Sequence, residues 1–278
     1  MSANTSHDTD HTPQSAESPD EIHPPTPASP QPEVFSRPSS TRMSWWRVWT
    51  EGLSFGPVFV ILSATLLLIV FHENGNTSFF HRHLSNLFSP SWIDGLYPAF
   101  FWYGMSLLML GIIPLLCGRY VLRVPFKNWI GLGDVRFGLL AVLVLYLAFL
   151  VILIPTSLSA EFQSKYPLFF EAKLSTTHFV LHEIAYAIYF IGWEFIFRGY
   201  LLFGLKPAIG FYAVFVQTIP FAILHFGKPE IETLAAILAG VILGYLALRA
   251  RSFWYGWILH ALIAVTNDTL VTWHTLPK

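Results

Sequence analysis

The sequence predicts an all-α fold, a polytopic integral membrane helical bundle of about seven transmembrane helices. Only 12% of the 278 residues are charged, against 54% hydrophobic and 17% aromatic, which is about half the charged fraction of a soluble domain. The charges cluster between apolar runs of about 18–22 residues, the length that crosses the hydrocarbon core of a bilayer. Sixteen Lys and Arg stand against seventeen Asp and Glu, a formal net charge of −1. That balance leaves no basic excess to neutralise phosphates, so nucleic acid is not expected as a partner. With Cys117 as the single cysteine, neither an internal disulfide nor a Cys-built zinc or iron–sulfur site can form. A metal would have to rest on His, Glu, Asp or Asn.

Residues 1–42 are polar and hold eight of the nineteen prolines, too little apolar surface to offset ordering, so a disordered Pro/Ser-rich cytoplasmic tail is expected there. The tail lacks the basic start and apolar stretch of a secretory signal, and the first apolar run is expected to remain as a span. Residues 43–124 are read as N-terminal transmembrane helices and 125–278 as a second unit. Apolar runs fall near 53–72, 97–117, 137–156, 178–205, 209–226, 231–250 and 253–273. Basic residues alternate eleven to five between the two sides of seven such spans, which puts the N-terminus in the cytoplasm of a multi-pass cell-membrane protein. Trp45, Trp46 and Trp49 before the first span, and Trp254, Trp257 and Trp273 around the last, suit interfacial anchors. Residues 126–136 read as an interfacial re-entry piece and 160–171 as a short amphipathic stretch. Gly240 and Gly244 at GxxxG spacing mark a close helix approach, with a partner either inside the chain or in a second copy.

Ionisable side chains inside hydrocarbon usually pair or act. Four stand out: Glu194 and Arg198 in IGWEFIFRGYLL, His225 in PFAILHFGKP, and His260 in YGWILHALIAVTND. Glu194 and Arg198, four apart, share a helix face and could be only an internal salt bridge. A salt bridge does not call for two imidazoles on other helices, however. A carboxylate with two imidazoles is a compact set for activating water, the glutamate taking its proton and the imidazoles binding a divalent metal such as zinc or donating to the developing oxyanion. Asn267, seven after His260, lies on nearly the same face and could add a donor, with Asp268 about 80° further round. His178 and His182 have i, i+4 spacing with Glu183 beside them, but near a span end they read as interfacial residues more readily than as metal ligands.

At these residues the sequence resembles the CAAX prenyl endopeptidase and bacteriocin-processing (CPBP, or Abi) family of intramembrane proteases. GWEFIFRGYLL is similar to its EExxxR motif, PFAILHFGKPEIE to its FxxxH motif, and RARSFWYGWILHALIA to the lead-in of its last motif. The resemblance runs over roughly 125–270 and is densest over 190–268. It implies that 125–278 is a CPBP-like protease domain, in which a glutamate activates water and histidines bind a metal or stabilise the oxyanion. By position, Arg198 matches the motif arginine, Phe221 and His225 the second motif, and His260 the third. Two departures matter: Trp193 stands where the motif has its first glutamate, and Ala264 where an asparagine is common. The Trp-Glu-Phe variant of the motif, with the long tail, makes prenylated CAAX substrates less expected than another membrane-tethered peptide.

The resulting expectation is an intramembrane endopeptidase, glutamate- or metal-dependent, acting on a membrane-tethered or hydrophobic peptide in the lipid bilayer. Glu194 is the expected base, His225 and His260 the metal ligands (with Glu194) or oxyanion donors, Arg198 the partner that orients Glu194, and Asn267 a supporting residue. The alternative is a catalytically inactive CPBP-like scaffold or binding protein. The reading carries a geometric condition. If the fourth helix ended at 198 and the fifth ran straight over 209–226, Glu194 and His225 would lie about 25 Å apart. The fourth helix must therefore continue through about Leu205, and the fifth must bend, with Pro220 the expected cause.

Overall fold

The computed structural model of the chain describes residues 54–88 and 93–275. The expected tail 1–42 and Trp45, Trp46 and Trp49 lie outside them. The first apolar run forms α1 (Phe55–Asn74), followed by a short α2 (Thr77–His83) whose first turn is capped by the Asn76 side chain. A long α3 (Tyr97–Val121) comes next, its π-helical stretches flanking Pro114. Residues 126–136 resolve into the short α4 (Phe126–Ile130), a four-residue link, and the start of α5 (Val135–Ser157). Asp134 caps α5 by accepting from the Phe137 amide. Residues 160–171 supply α6 (Ala160–Lys165), capped by Ser159. The remaining helices are α7 (Thr176–Ile209), α8 (Tyr212–Ile223), α9 (Glu230–Ala250) and α10 (Trp254–Thr275).

Among the described residues there is no strand, and α1, α3, α5 (with α4), α7 and α9 are each long and apolar enough to cross a membrane. The fifth and seventh expected segments differ from these five. The α8 helix is apolar but has only 12 residues, a rise of about 18 Å. The α10 helix has 22 residues but carries His260, Asn267, Asp268 and His274 and is not among the five.

The most enclosed element is α7, with over half of its most apolar stretch buried against a third or less in the other four candidate spans. Burial of this extent suits a helix whose polar groups must find partners within the protein. Gly192 brings α7 onto α3, since a Cβ there would collide with the Ser106 carbonyl oxygen and lie 3.0 Å from the Leu107 Cα. Ser106 in turn donates its hydroxyl to the Tyr189 carbonyl at 3.0 Å. The other face of α7 meets α10, where the Trp257 indole donates to the Ala187 carbonyl at 2.8 Å. On the far side of α10, Tyr255 packs over Gly138 of α5 and donates to the Leu132 carbonyl. The Gly240–Gly244 pair faces inward, because Cβ atoms there would meet Thr218 and Gln217 of α8. Gln217 also donates to the Gly240 carbonyl at 2.8 Å.

The geometric condition is met in its first half and altered in its second. The fourth helix continues to Ile209, past Leu205, by widening to π-helical hydrogen bonding over Phe195–Leu201. The fifth does not bend and carry on. It stops at Ile223 and gives way to tight turns through Leu224–Lys228, ending on Gly227 at φ +85°, a conformation suited to glycine. His225 therefore sits in the turn after a short helix.

Candidate functional site

Glu194 lies where α7 passes into its π-helical stretch and is fully buried. One oxygen, Oε1, accepts from the Arg198 Nη1–H at 3.0 Å and from the His260 Nδ1–H at 2.7 Å. The other, Oε2, turns toward the α10 backbone, where a Cβ on Gly256 would come within 2.8 Å. Glycine at 256 is what lets the carboxylate approach α10 so closely. Arg198 is buried beside it, its guanidinium carbon 3.9 Å from the centre of the Phe221 ring. A cation over an aromatic face recovers part of the hydration lost on burial.

Phe221 links the groups. Its ring lies 4.6 Å from that of His225 and 6.2 Å from that of His260, so both imidazoles flank the ring that carries the arginine. His225 Nδ1–H donates to the Phe221 carbonyl at 2.7 Å. His260 packs on Phe190 with ring centres 4.1 Å apart. In each imidazole the protein holds Nδ1, which leaves Nε2 as the lone-pair nitrogen of the neutral ring.

Both histidines line a cavity of about 400 Å³ with a mainly apolar wall. Trp193 and Ala264, the two departures from the family pattern, form part of that wall. Trp193 stacks on Tyr189 at 5.5 Å and presents its edge toward His225 at 6.1 Å. Where the motif would place a carboxylate and an amide, the cavity meets an indole and a methyl. Glu194 does not line it. The expectation that Glu194 takes a proton from water is thus at odds with its surroundings, because its carboxylate is enclosed away from the cavity, with Oε1 holding two donors and Oε2 buried without a partner. Asn267 does line the cavity, but it lies about 10 Å further along α10 than His260. Its Nδ2 donates to Asp268 Oδ1 at 3.3 Å instead of joining the Glu194 group.

A zinc ion at the expected trio Glu194, His225 and His260 is a poor fit. Catalytic zinc normally takes three protein ligands, and here the cavity offers two imidazole nitrogens, with the carboxylate facing elsewhere.

Two further groups stand out, the first not read from the sequence and the second read only in its His182–Glu183 part. Tyr166, Lys228 and Glu232 line the same cavity. Lys228 donates to the Tyr166 hydroxyl at 2.8 Å, which donates to Glu232 at 2.6 Å. Burial pulls the Lys228 ammonium below its usual range, with Glu232 opposing, and pushes the Tyr166 hydroxyl well above its own. These residues are 62 and 66 positions apart, so no local pattern announces them. The second group is on α7 and α10. His182, expected at the interface, is fully buried, with Nε2 at 2.9 Å from the Tyr103 hydroxyl and Nδ1 at 2.9 Å from Glu183 Oε1. Asp268 is buried beside them. His178 turns elsewhere, to the Ser175 hydroxyl. The adjacent ionisable pair His182–Glu183 was the available signal.

Residues 175–266 match the family model described as type II CAAX prenyl endopeptidase Rce1-like. The match takes in Glu194, Arg198, His225 and His260, and ends one residue before Asn267. No curated protein and no solved structure matches the chain.

Proposed function

We propose, on the premise that residues 175–266 form an Rce1-like domain of the CPBP family, that the chain is an intramembrane endopeptidase. Its substrate is a membrane-tethered or hydrophobic peptide received in the apolar cavity. The observation that carries this reading is the pair of cavity-lining imidazoles, each held at Nδ1. His260 is the proposed base: its Nε2 takes a proton from water, and Glu194, at 2.7 Å from Nδ1, stabilises the imidazolium that forms. This is the role a buried carboxylate plays behind a catalytic histidine. Arg198 keeps Glu194 ionised and oriented. His225, its Nδ1–H spent on the Phe221 carbonyl, offers Nε2 as a second acceptor that holds the water. Protonated His260 then delivers its proton to the departing amine.

A second reading is favoured by the wall itself. Trp193 and Ala264 occupy the positions where the family pattern has a glutamate and an asparagine, which supports a catalytically inactive scaffold or peptide binder. Cleavage of a membrane-tethered peptide library in proteoliposomes separates the two, using wild type, Glu194→Gln, His225→Ala and His260→Ala. Cutting by wild type that each substitution reduces at least a hundredfold is the result expected of the protease. Peptide binding by folded wild type without cutting on any substrate would establish the scaffold.

A further inference from the structure

Glu183 and Asp268 pose a problem that the proposed reaction does not use. Both are more than nine-tenths buried, and Glu183 Oε2 and Asp268 Oδ2 have no hydrogen-bond partner. Among the described residues no lysine or arginine forms an ion pair with either carboxylate. His182 lies at 2.9 Å from Glu183, and Lys228 and Lys173 act on Asp268 only from beyond contact distance. Two carboxylates enclosed in a helical bundle without a lysine or arginine in contact carry a desolvation penalty that must be met by protons or by a cation. The two carboxylates and the imidazole converge, since one ligand atom from each of His182, Glu183 and Asp268 lies within 4.8 Å of the others.

We propose that His182, Glu183 and Asp268 bind one zinc ion, separate from the His225–His260 cavity. One imidazole and two carboxylates are ligand types that zinc accepts, and two carboxylate charges neutralise the ion inside the bundle. The surrounding contacts suit the role. The Tyr103 hydroxyl occupies Nε2 of His182, so Nδ1 is the nitrogen left to meet the carboxylates. Asn267 holds Asp268 by the oxygen opposite the bare one. Outer contacts of this kind orient metal ligands. Ligand atoms around a tetrahedral zinc are about 3.4 Å apart at bond lengths of about 2.1 Å, so from separations within 4.8 Å the trio closes by at most about 1.4 Å on loading, within the reach of side-chain rotation. The ion joins α7 to α10, the two helices that carry Glu194 and His260, and so fixes how those residues meet.

The test uses the full chain, purified in detergent, stripped with a chelator and titrated with Zn²⁺ against a competing indicator. One equivalent is expected, with the affinity lowered at least tenfold in both Asp268→Asn and Glu183→Gln and unchanged in the double variant His225→Ala/His260→Ala. Zinc-edge X-ray absorption on wild type alone reads the ligand set without depending on any variant. One imidazole among oxygen ligands supports the assignment. The proposal is overturned by the absence of stoichiometric binding, by two imidazoles on the bound ion, or by binding that survives both carboxylate substitutions. None of these readouts involves cleavage, so the site stands or falls apart from the protease reading.

Discussion

Replacing Glu194 with Gln keeps the side chain's size but removes the charge that Arg198 and His260 both address. Both members of the pair are fully enclosed, and the contact between them is a single hydrogen bond at 3.0 Å. In the variant the guanidinium stays buried with Nε and Nη2 already unpartnered and only the Phe221 face, at 3.9 Å, to offset it. Breaking a buried pair costs about 3–5 kcal/mol, and a desolvated cation–π contact returns about 2 kcal/mol at most. Since that contact exists before and after the change, it cancels, and the expected loss is about 3–5 kcal/mol. For a domain of this size that is a fall in melting temperature of roughly 6–20 °C. Arg198→Met removes the arginine yet leaves Glu194 its bond from His260, and so costs less. Glu194→Gln/Arg198→Met removes both charges and costs less than the two single changes together, by at least about 1.5 kcal/mol of coupling. Thermal unfolding in detergent, followed by loss of the monodisperse chromatographic peak, measures all three. Additive effects, or a Glu194→Gln variant as stable as wild type, would refute the view that the carboxylate is charged and holds both partners.

Gly192→Val drives a side chain into the Ser106 carbonyl between α7 and α3 and is expected to cost at least about 1–3 kcal/mol; an unchanged melting temperature would mean the two helices do not approach as described. Gly240→Val strikes Thr218 within the same chain, so it should lower stability while leaving the oligomeric state in detergent unaltered, as light scattering would show. Trp193→Glu sets a carboxylate on the cavity wall near His225, and a base newly placed there is expected to raise peptide cleavage by about 10²-fold or more, read as initial rate in proteoliposomes. At Lys228 the folded pKa lies below the ordinary value of 10.5. The unfolded chain therefore binds more protons over the window between the two, and stability rises with pH there. A scan of melting temperature over the alkaline range below pH 10.5 should show that rise in wild type and a shallower one in Lys228→Gln.

Much of the fold was legible because hydrophobic run length is a strong local signal. The runs near 53–72, 97–117, 137–156 and 231–250 became α1, α3, α5 and α9 with ends shifted by a few residues. The run at 209–226 misled because an apolar stretch does not say whether it is wound throughout. Leu224 and Phe226 are apolar enough to continue a helix, yet the chain turns there around Gly227. At the site, Glu194, Arg198, His225 and His260 could be picked out by the rarity of ionisable groups in such sequence. The direction of the Glu194 carboxylate could not, because it depends on Gly256, a residue 62 positions away on α10. The meeting of His182 and Glu183 with Asp268 was hidden for the same reason: neighbours in sequence are visible as pairs, whereas the third member arrives through helix packing.

The brevity of α8 bears on how the proposed hydrolase would obtain its second reactant. Twelve residues rise about 18 Å against a hydrocarbon thickness of about 30 Å. A helix of that length stops well short of a full crossing, and the chain turns through Leu224–Lys228 where a spanning helix would still be wound. Non-helical backbone within a bilayer survives only when enclosed by protein or wetted. Lys228, Tyr166 and Glu232 line the cavity beside this break, hydrogen-bonding groups that suit water in a mainly apolar wall. Lengthening α8 by a helical turn would displace Lys228 as well as His225.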